Sequence, residues 1–198
     1  MTEDTVLTAN FLQASPFTLR WERGAGDGWV NDPHDPGAET FCGISRRAWP
    51  NWEGWAKLDS MKTAGSKWRL LLTPQNSVYD MVDDFFFNTF WEKYDFDALT
   101  APMAAACFDT VVQHGKGVRL IQTACHALGY DVGDADNTWG PRTAEGVISL
   151  GKSMPDDFVD DLIDIRHKYY AAQNNPAEFN GWMNRLRGLH EFIATLQP

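Results

Sequence analysis

The stretch from Trp21 to Ile44, WERGAGDGWVNDPHDPGAETFCGI, limits what this chain can be more than any other. It opens on the end of a candidate helix, Phe17 to Glu22. Gly24, Gly26 and Gly28 then break the helix and free the backbone for tight turns and close approach. Asp32 and Asp35 follow, each locked by a proline, and the run closes on Gly37, Glu39 and Thr40. Two readings fit. Asp-Pro and Asp-Gly are ordinary turn chemistry, so the run can be a solvated acidic turn. A glycosidase needs carboxylates held at fixed separation on a rigid scaffold, and a loop pinned by Pro and Gly supplies one.

Composition narrows the partners. A chain of 198 residues holds one domain with a real core, or two small lobes. A net charge of −10 excludes a nucleic-acid binder, which needs a basic face. The same charge gives no electrostatic help on an anionic cell wall, so recognition there has to be short-range. Nine Trp and twelve Phe are explained first by core packing, although sugar-binding clefts also use aromatic faces. The odd set Cys42, Cys107 and Cys125 gives no disulfide framework. Cys107 and Cys125 fall in apolar, helix-like stretches and read as buried thiols. The histidines show no metal-ligand spacing, so neither metal nor cofactor is expected. The first ten residues, MTEDTVLTAN, are polar and read as a flexible terminus, with no signal peptide and no membrane insertion expected.

The remaining pattern is mostly α. Helix is expected over Phe11 to Glu22, interrupted at Pro16. Trp49, Trp52, Trp55 and Leu58 recur every three residues, which predicts one apolar helical stripe over Ser45 to Met61 despite Pro50. Thr73-Pro74 reads as a helix start, with the helix running to about Trp91. Further helices are expected over Pro102 to Val112, Val118 to Leu128, Thr143 to Leu150, Pro155 to Ala172 and Asn180 to Leu196. The only strands anticipated are a short pair around residues 28 to 44.

The motifs resemble those of the glycoside hydrolase family 108 N-acetylmuramidases, of the phage endolysin and secretion-activator type. Gly28, Trp29, Asp32, Pro33, Asp35, Pro36, Gly37, Thr40, Gly43 and Ile44 fall in register with that family's N-terminal signature. Phe90-Trp91, Phe108-Asp109, Leu120-Ile121-Gln122, the run DNTWGPRT from Asp136 to Thr143, Arg166 to Tyr170 and Gly181-Trp182 are similar to later family pieces, in the same order. The resemblance covers about residues 11 to 192. The family places a glutamate immediately before Gly-Gly, whereas here the nearest upstream glutamate is Glu22, with four extra residues in the turn.

The resemblance implies a lysozyme-like, helical, two-lobed domain with its cleft between the lobes. Residues 11–100 would form the muramidase lobe, and 101–198 a second lobe resembling a peptidoglycan-binding region. Glu22 is then the expected general acid, Asp32 the second carboxylate and Thr40 a holder of the attacking water. Trp29, Asp35, Glu39 and Gln122 are the expected substrate contacts. The extra turn residues are expected to bulge locally and leave Glu22 in place; the alternative puts Asp27 in the acid's position. The implied activity is cleavage of the bond from N-acetylmuramic acid to N-acetylglucosamine in peptidoglycan, by a monomer that reaches the wall through a holin or secretion device. The rival readings are a non-catalytic peptidoglycan binder and a lytic transglycosylase.

Overall fold

A computed structural model describes residues 5–31 and 39–197. Among these residues the chain is mostly α, with one small sheet, and divides into two compact units. The first comprises residues up to Val6 and Leu19–Thr89; the second comprises Leu7–Thr18 and the chain from Phe90 onward. The expected acids Asp32 and Asp35 lie outside the described residues.

The chain enters through two short helices, α1 (Ala9–Ala14) and α2 (Pro16–Arg23), separated at Ser15 where Pro16 withholds its backbone donor. Thr8 caps α1 by accepting from the Phe11 N–H at 3.2 Å. In the first unit the sheet follows: β1 (Trp29–Asn31), β2 (Glu39–Phe41) and β3 (Ile44–Ser45), antiparallel in the order β1-β2-β3. Its register pairs Trp29 with Phe41, Val30 with Thr40, and Phe41 with Ile44. The third strand was not anticipated. A two-residue turn makes it, with Cys42 at φ 47° and Gly43 at φ 79°, the doubly left-handed geometry that matches strand twist.

Phe41 is fully buried from the sheet against an aromatic array. Its ring stacks on Trp52 at 6.2 Å and meets Tyr79 at 5.5 Å, while Trp52 packs edge-on against Trp55 at 5.0 Å. The tryptophan stripe therefore exists as a cluster. Its helix, α3 (Gly54–Lys62), begins only after Trp49 and Trp52, because Pro50 keeps the preceding segment in turns. The helix expected from Thr73-Pro74 likewise starts later, as α4 (Val78–Phe86). Thr73 and Pro74 sit in a turn closed by the Asn76 N–H to Thr73 carbonyl bond of 2.8 Å, and the Asn76 side chain accepts from the Val78 N–H. One turn of π-helix, Phe87–Trp91, extends α4.

The second unit is built around α5 (Ala101–Gln113), with buried residues on every face. Helices α1, α6 (Gly117–Ala127), α8 (Pro155–Ala172) and α9 (Pro176–Ile193) pack on it, and α7 (Pro141–Ser153) packs on α6 and α8. Four alanines in α5 let those neighbours approach closely. Phe11, Trp91, Phe96 and Phe108 form an edge-to-face cluster with centroids 5.2 to 5.8 Å apart. Cys107 and Cys125 are fully buried free thiols, as their apolar surroundings suggest.

Within this apolar unit Asp109 carries a fully buried carboxylate. Arg185 donates to its Oδ1 through Nε at 3.0 Å and Nη2 at 2.7 Å, Arg166 donates to Oδ2 at 2.7 Å, and the Thr18 hydroxyl donates at 3.0 Å. Burial alone would raise this carboxyl's pKa; the two guanidinium groups outweigh it and hold the value below the usual range. Arg166 continues to Thr110, Gln113 and Tyr170, and the Tyr170 hydroxyl meets His114 Nε2 at 2.5 Å.

Asp109→Ala should therefore destabilise the unit by about 3–5 kcal/mol, because it strands two buried guanidinium groups; chemical denaturation measures this. His114 gives a second expectation. Burial, reinforced by Arg166 and opposed by Asp109, pushes its pKa down to about 4 from an ordinary 6.5. A folded value below the unfolded one means that the neutral ring's contribution is complete above about pH 6.5 and lost as pH falls towards 4. Allowing for partial exposure, the loss is on the order of 2 kcal/mol. A His114→Gln variant should flatten the melting temperature across that window.

Candidate active site

Helix α2 ends at Arg23, where Gly24 turns left-handed at φ 63°. The last turn is tied down by Arg23, which donates to Asp83 of α4 at 2.7 Å and lies over the Tyr79 ring at 5.7 Å. Burial raises the Asp83 pKa and Arg23 opposes that rise. Glu22, one residue earlier, is half-buried, and its carboxyl end lies directly against the Cys42-Gly43 turn. Glu22 Oε2 lies 2.6 Å from the point a Cβ on Gly43 would occupy. The strand leading into that turn carries Thr40. Thr40 sits on the sheet face opposite Phe41, with Val30 and Ser45 as its cross-strand neighbours. Sequence separates Glu22 from this hairpin by eighteen residues; the fold lays its carboxyl on the turn two residues beyond Thr40.

Between α2 and β1 the chain turns on its glycines. Gly24 and Gly26 both have positive φ, and β1 starts at Trp29. Asp27, the alternative acid, is committed elsewhere. Arg69 clamps it through Nε and Nη2, both at 2.6 Å, and the Trp29 N–H donates to it at 3.1 Å. The Arg69 bonds lead in holding its carboxyl below the usual range, which keeps it ionised and useless as a proton donor at neutral pH. A cavity of about 360 Å³ lined by Arg23, Asp27, Gly28, Leu72 and Tyr79 lies beside it.

Glu39 and Trp29 are brought together. The indole Nε1 donates to Glu39 at 2.8 Å, Lys62 reaches the same carboxylate, and Arg46 Nε lies 3.0 Å from its other oxygen. Trp29 also packs edge-on against Trp68 at 5.2 Å, with the Arg69 guanidinium over its ring. These residues brace the sheet on α3, a role that sequence spacing did not reveal because all their partners are distant in the chain. Gln122 belongs to the other unit and is 1% exposed. Its amide donates to Asp136, the Thr138 carbonyl and Thr143, and accepts from the Asn137 N–H. These bonds make it an internal bracket of the 131–140 loop. Among the described residues no three His, Cys, Asp or Glu side chains converge as metal ligands.

Comparison with known proteins now adds to this geometry. No curated protein matches the chain. The structure of SagA from Brucella abortus matches with a TM-score of 0.60 over 94% of each chain, at 21% identity, and so shares its fold. That fold is the mostly-α, lysozyme-like one. The profile of the family described as Glycosyl hydrolase 108 matches residues 16–115, a stretch that holds α2, the sheet, α3, α4 and α5. The chain belongs to glycosyl hydrolase family 108.

Proposed function

We propose that this glycoside hydrolase is an N-acetylmuramidase that cleaves the β-1,4 bond between N-acetylmuramic acid and N-acetylglucosamine in peptidoglycan. The observation that carries this reading is the seat of Glu22: its carboxyl lies against the Cys42-Gly43 turn of the hairpin that carries Thr40. Asp27 is held by Arg69, Glu39 by Lys62 and Arg46, and Asp83 by Arg23. Glycosidic cleavage needs one protonated acid beside the leaving oxygen, and the Arg69 pair holds Asp27 ionised.

In this reading Glu22 protonates the leaving oxygen. Asp32, which follows β1 directly, stabilises the oxocarbenium-like charge or activates the water. The Thr40 hydroxyl holds that water from the strand opposite. Asp35 contributes to the glycan contacts. Trp29 and Glu39 act behind the site, by fixing β1 and β2 to α3. The biological role that fits is an endolysin, monomeric and delivered to the wall by a holin or a secretion device, with the helical second unit engaging the same polymer.

Glu22→Gln should lower lysis of outer-membrane-stripped cells by about a hundredfold or more while the melting temperature holds, the scale of losing positioned acid catalysis. Asp27→Asn should stay within about tenfold of wild type, since its carboxylate serves a structural pair. A folded, active Glu22→Gln protein removes Glu22 from the mechanism, and an inactive, folded Asp27→Asn protein promotes Asp27 in its place. Mass spectrometry of digested sacculi should find reducing N-acetylmuramic acid ends. A predominance of 1,6-anhydro ends, lighter by one water, makes the enzyme a transglycosylase instead.

A further inference from the structure

The turn that meets Glu22 is built with no side chain at one position. Gly43 has φ 79°, and a Cβ placed on it would lie 2.6 Å from Glu22 Oε2, 3.1 Å from its Cβ and 3.4 Å from its Cδ. Real Cβ atoms essentially never come within 3.0 Å of such neighbours. One acid, from stem to carboxyl, thus fills the space that any side chain at this position would need.

The turn has nowhere to retreat. The Cys42 N–H donates to the Gly28 carbonyl at 2.8 Å. A Cβ on Gly28 would fall 2.5 Å from Cys42 Sγ and 3.2 Å from the Arg23 carbonyl. Phe41 and Ile44, which flank the turn, are fully buried. The end of α2, the chain at Gly28 and the hairpin turn are therefore stacked with almost nothing but backbone and one thiol between them.

We propose that Gly43 is a positioning residue for the reaction: its missing side chain is the seat on which the Glu22 carboxylate is held. This rests on the reading of Glu22 as the acid. The nearest atom, Oε2, is the far end of a flexible side chain, and the stem at 3.1 Å needs to give by only a few tenths of an ångström. A side chain at position 43 would therefore move the carboxyl group and leave the fold standing. A misplacement of about 1 Å at a reacting group costs on the order of a hundredfold in rate.

Two substitutions separate contact from backbone strain. Gly43→Ala adds a Cβ and also a strained left-handed alanine; Gly43→Asn adds the same Cβ on a residue that tolerates that conformation. The measurements are kcat and KM on soluble glycan fragments of peptidoglycan, the pH dependence of kcat/KM, and the melting temperature. Both variants should lose about ten- to a hundredfold in kcat with KM changed by less than about threefold. Both should shift the alkaline limb of the pH profile, which the general acid sets, and only the alanine variant should melt markedly lower. If Gly43→Asn keeps wild-type kcat and an unmoved pH profile while Glu22→Gln is inactive, the proposal is overturned and the acid stands. Activity that merely follows melting temperature, with alanine impaired and asparagine normal, overturns it too. A fully active Glu22→Gln protein overturns the acid itself, and this inference with it.

Discussion

A carboxylate with no exposure to water, held between two guanidinium groups, is the constraint on which the helical unit depends. Removing Asp109 from water carries a penalty of several kcal/mol, and each arginine carries its own. The unit offsets this by geometry. Arg185 binds one oxygen through two nitrogens, Arg166 takes the other, and Thr18 fills the remaining acceptor site. Four elements, α2, α5, α8 and α9, contribute one side chain each. An apolar core of this size would tolerate several helix registers. The paired charges accept only one, since a slip of any helix leaves a charge alone in the core.

The first unit solves a different problem with similar means. Its sheet has only three strands of two or three residues, too little to stand alone. It is held from one side by Phe41 in the aromatic array of α3 and α4. Ion pairs hold its rim: Glu39 to Lys62 and Arg46, and Asp27 to Arg69. Such pairs at a partly exposed rim contribute little stability each. Their effect is to fix the directions of β1 and β2, and so the place of the turn that Glu22 touches.

How much of this could be read from residues alone depended on the range of the interactions. Long helices with regular apolar spacing, such as α8, were legible to the residue, because periodicity and the Pro155 start are local signals. Thr73-Pro74 misled because a cap-like pair also makes a turn, and here Asn76 closes that turn and its side chain accepts from the first N–H of the real helix. Trp49 and Trp52 were correctly grouped with Trp55 yet wrongly put on one helix; edge-to-face packing needs proximity, not a shared helix. As site candidates, Glu22 and Thr40 were put forward only through the resemblance. Glu39, Trp29 and Gln122 are typical glycan-binding residue types, and nothing in the sequence shows that Lys62, Arg46 and the 131–140 loop are waiting for them. Long-range partners are what a one-dimensional reading lacks.

The turn at Cys42 and Gly43 is matched closely to the backbone around it. Two consecutive left-handed residues usually read Asn-Gly or Asp-Gly, so cysteine at the first position carries backbone strain. Its thiol is fully buried and stands against Gly28, in the gap that a Cβ there would close. A polar asparagine side chain in that gap would need a buried partner. At Gly28, Cys42 and Gly43, then, each position is matched to an atom across from it. From Gly24 to Gly26 the opposite holds, since a Cβ on either glycine would meet nothing within 4 Å. Length can vary in that open segment without moving Arg23 on one side or Gly28 on the other. That segment is therefore one whose length the local geometry does not fix, and the contact between Glu22 and the hairpin turn does not depend on it.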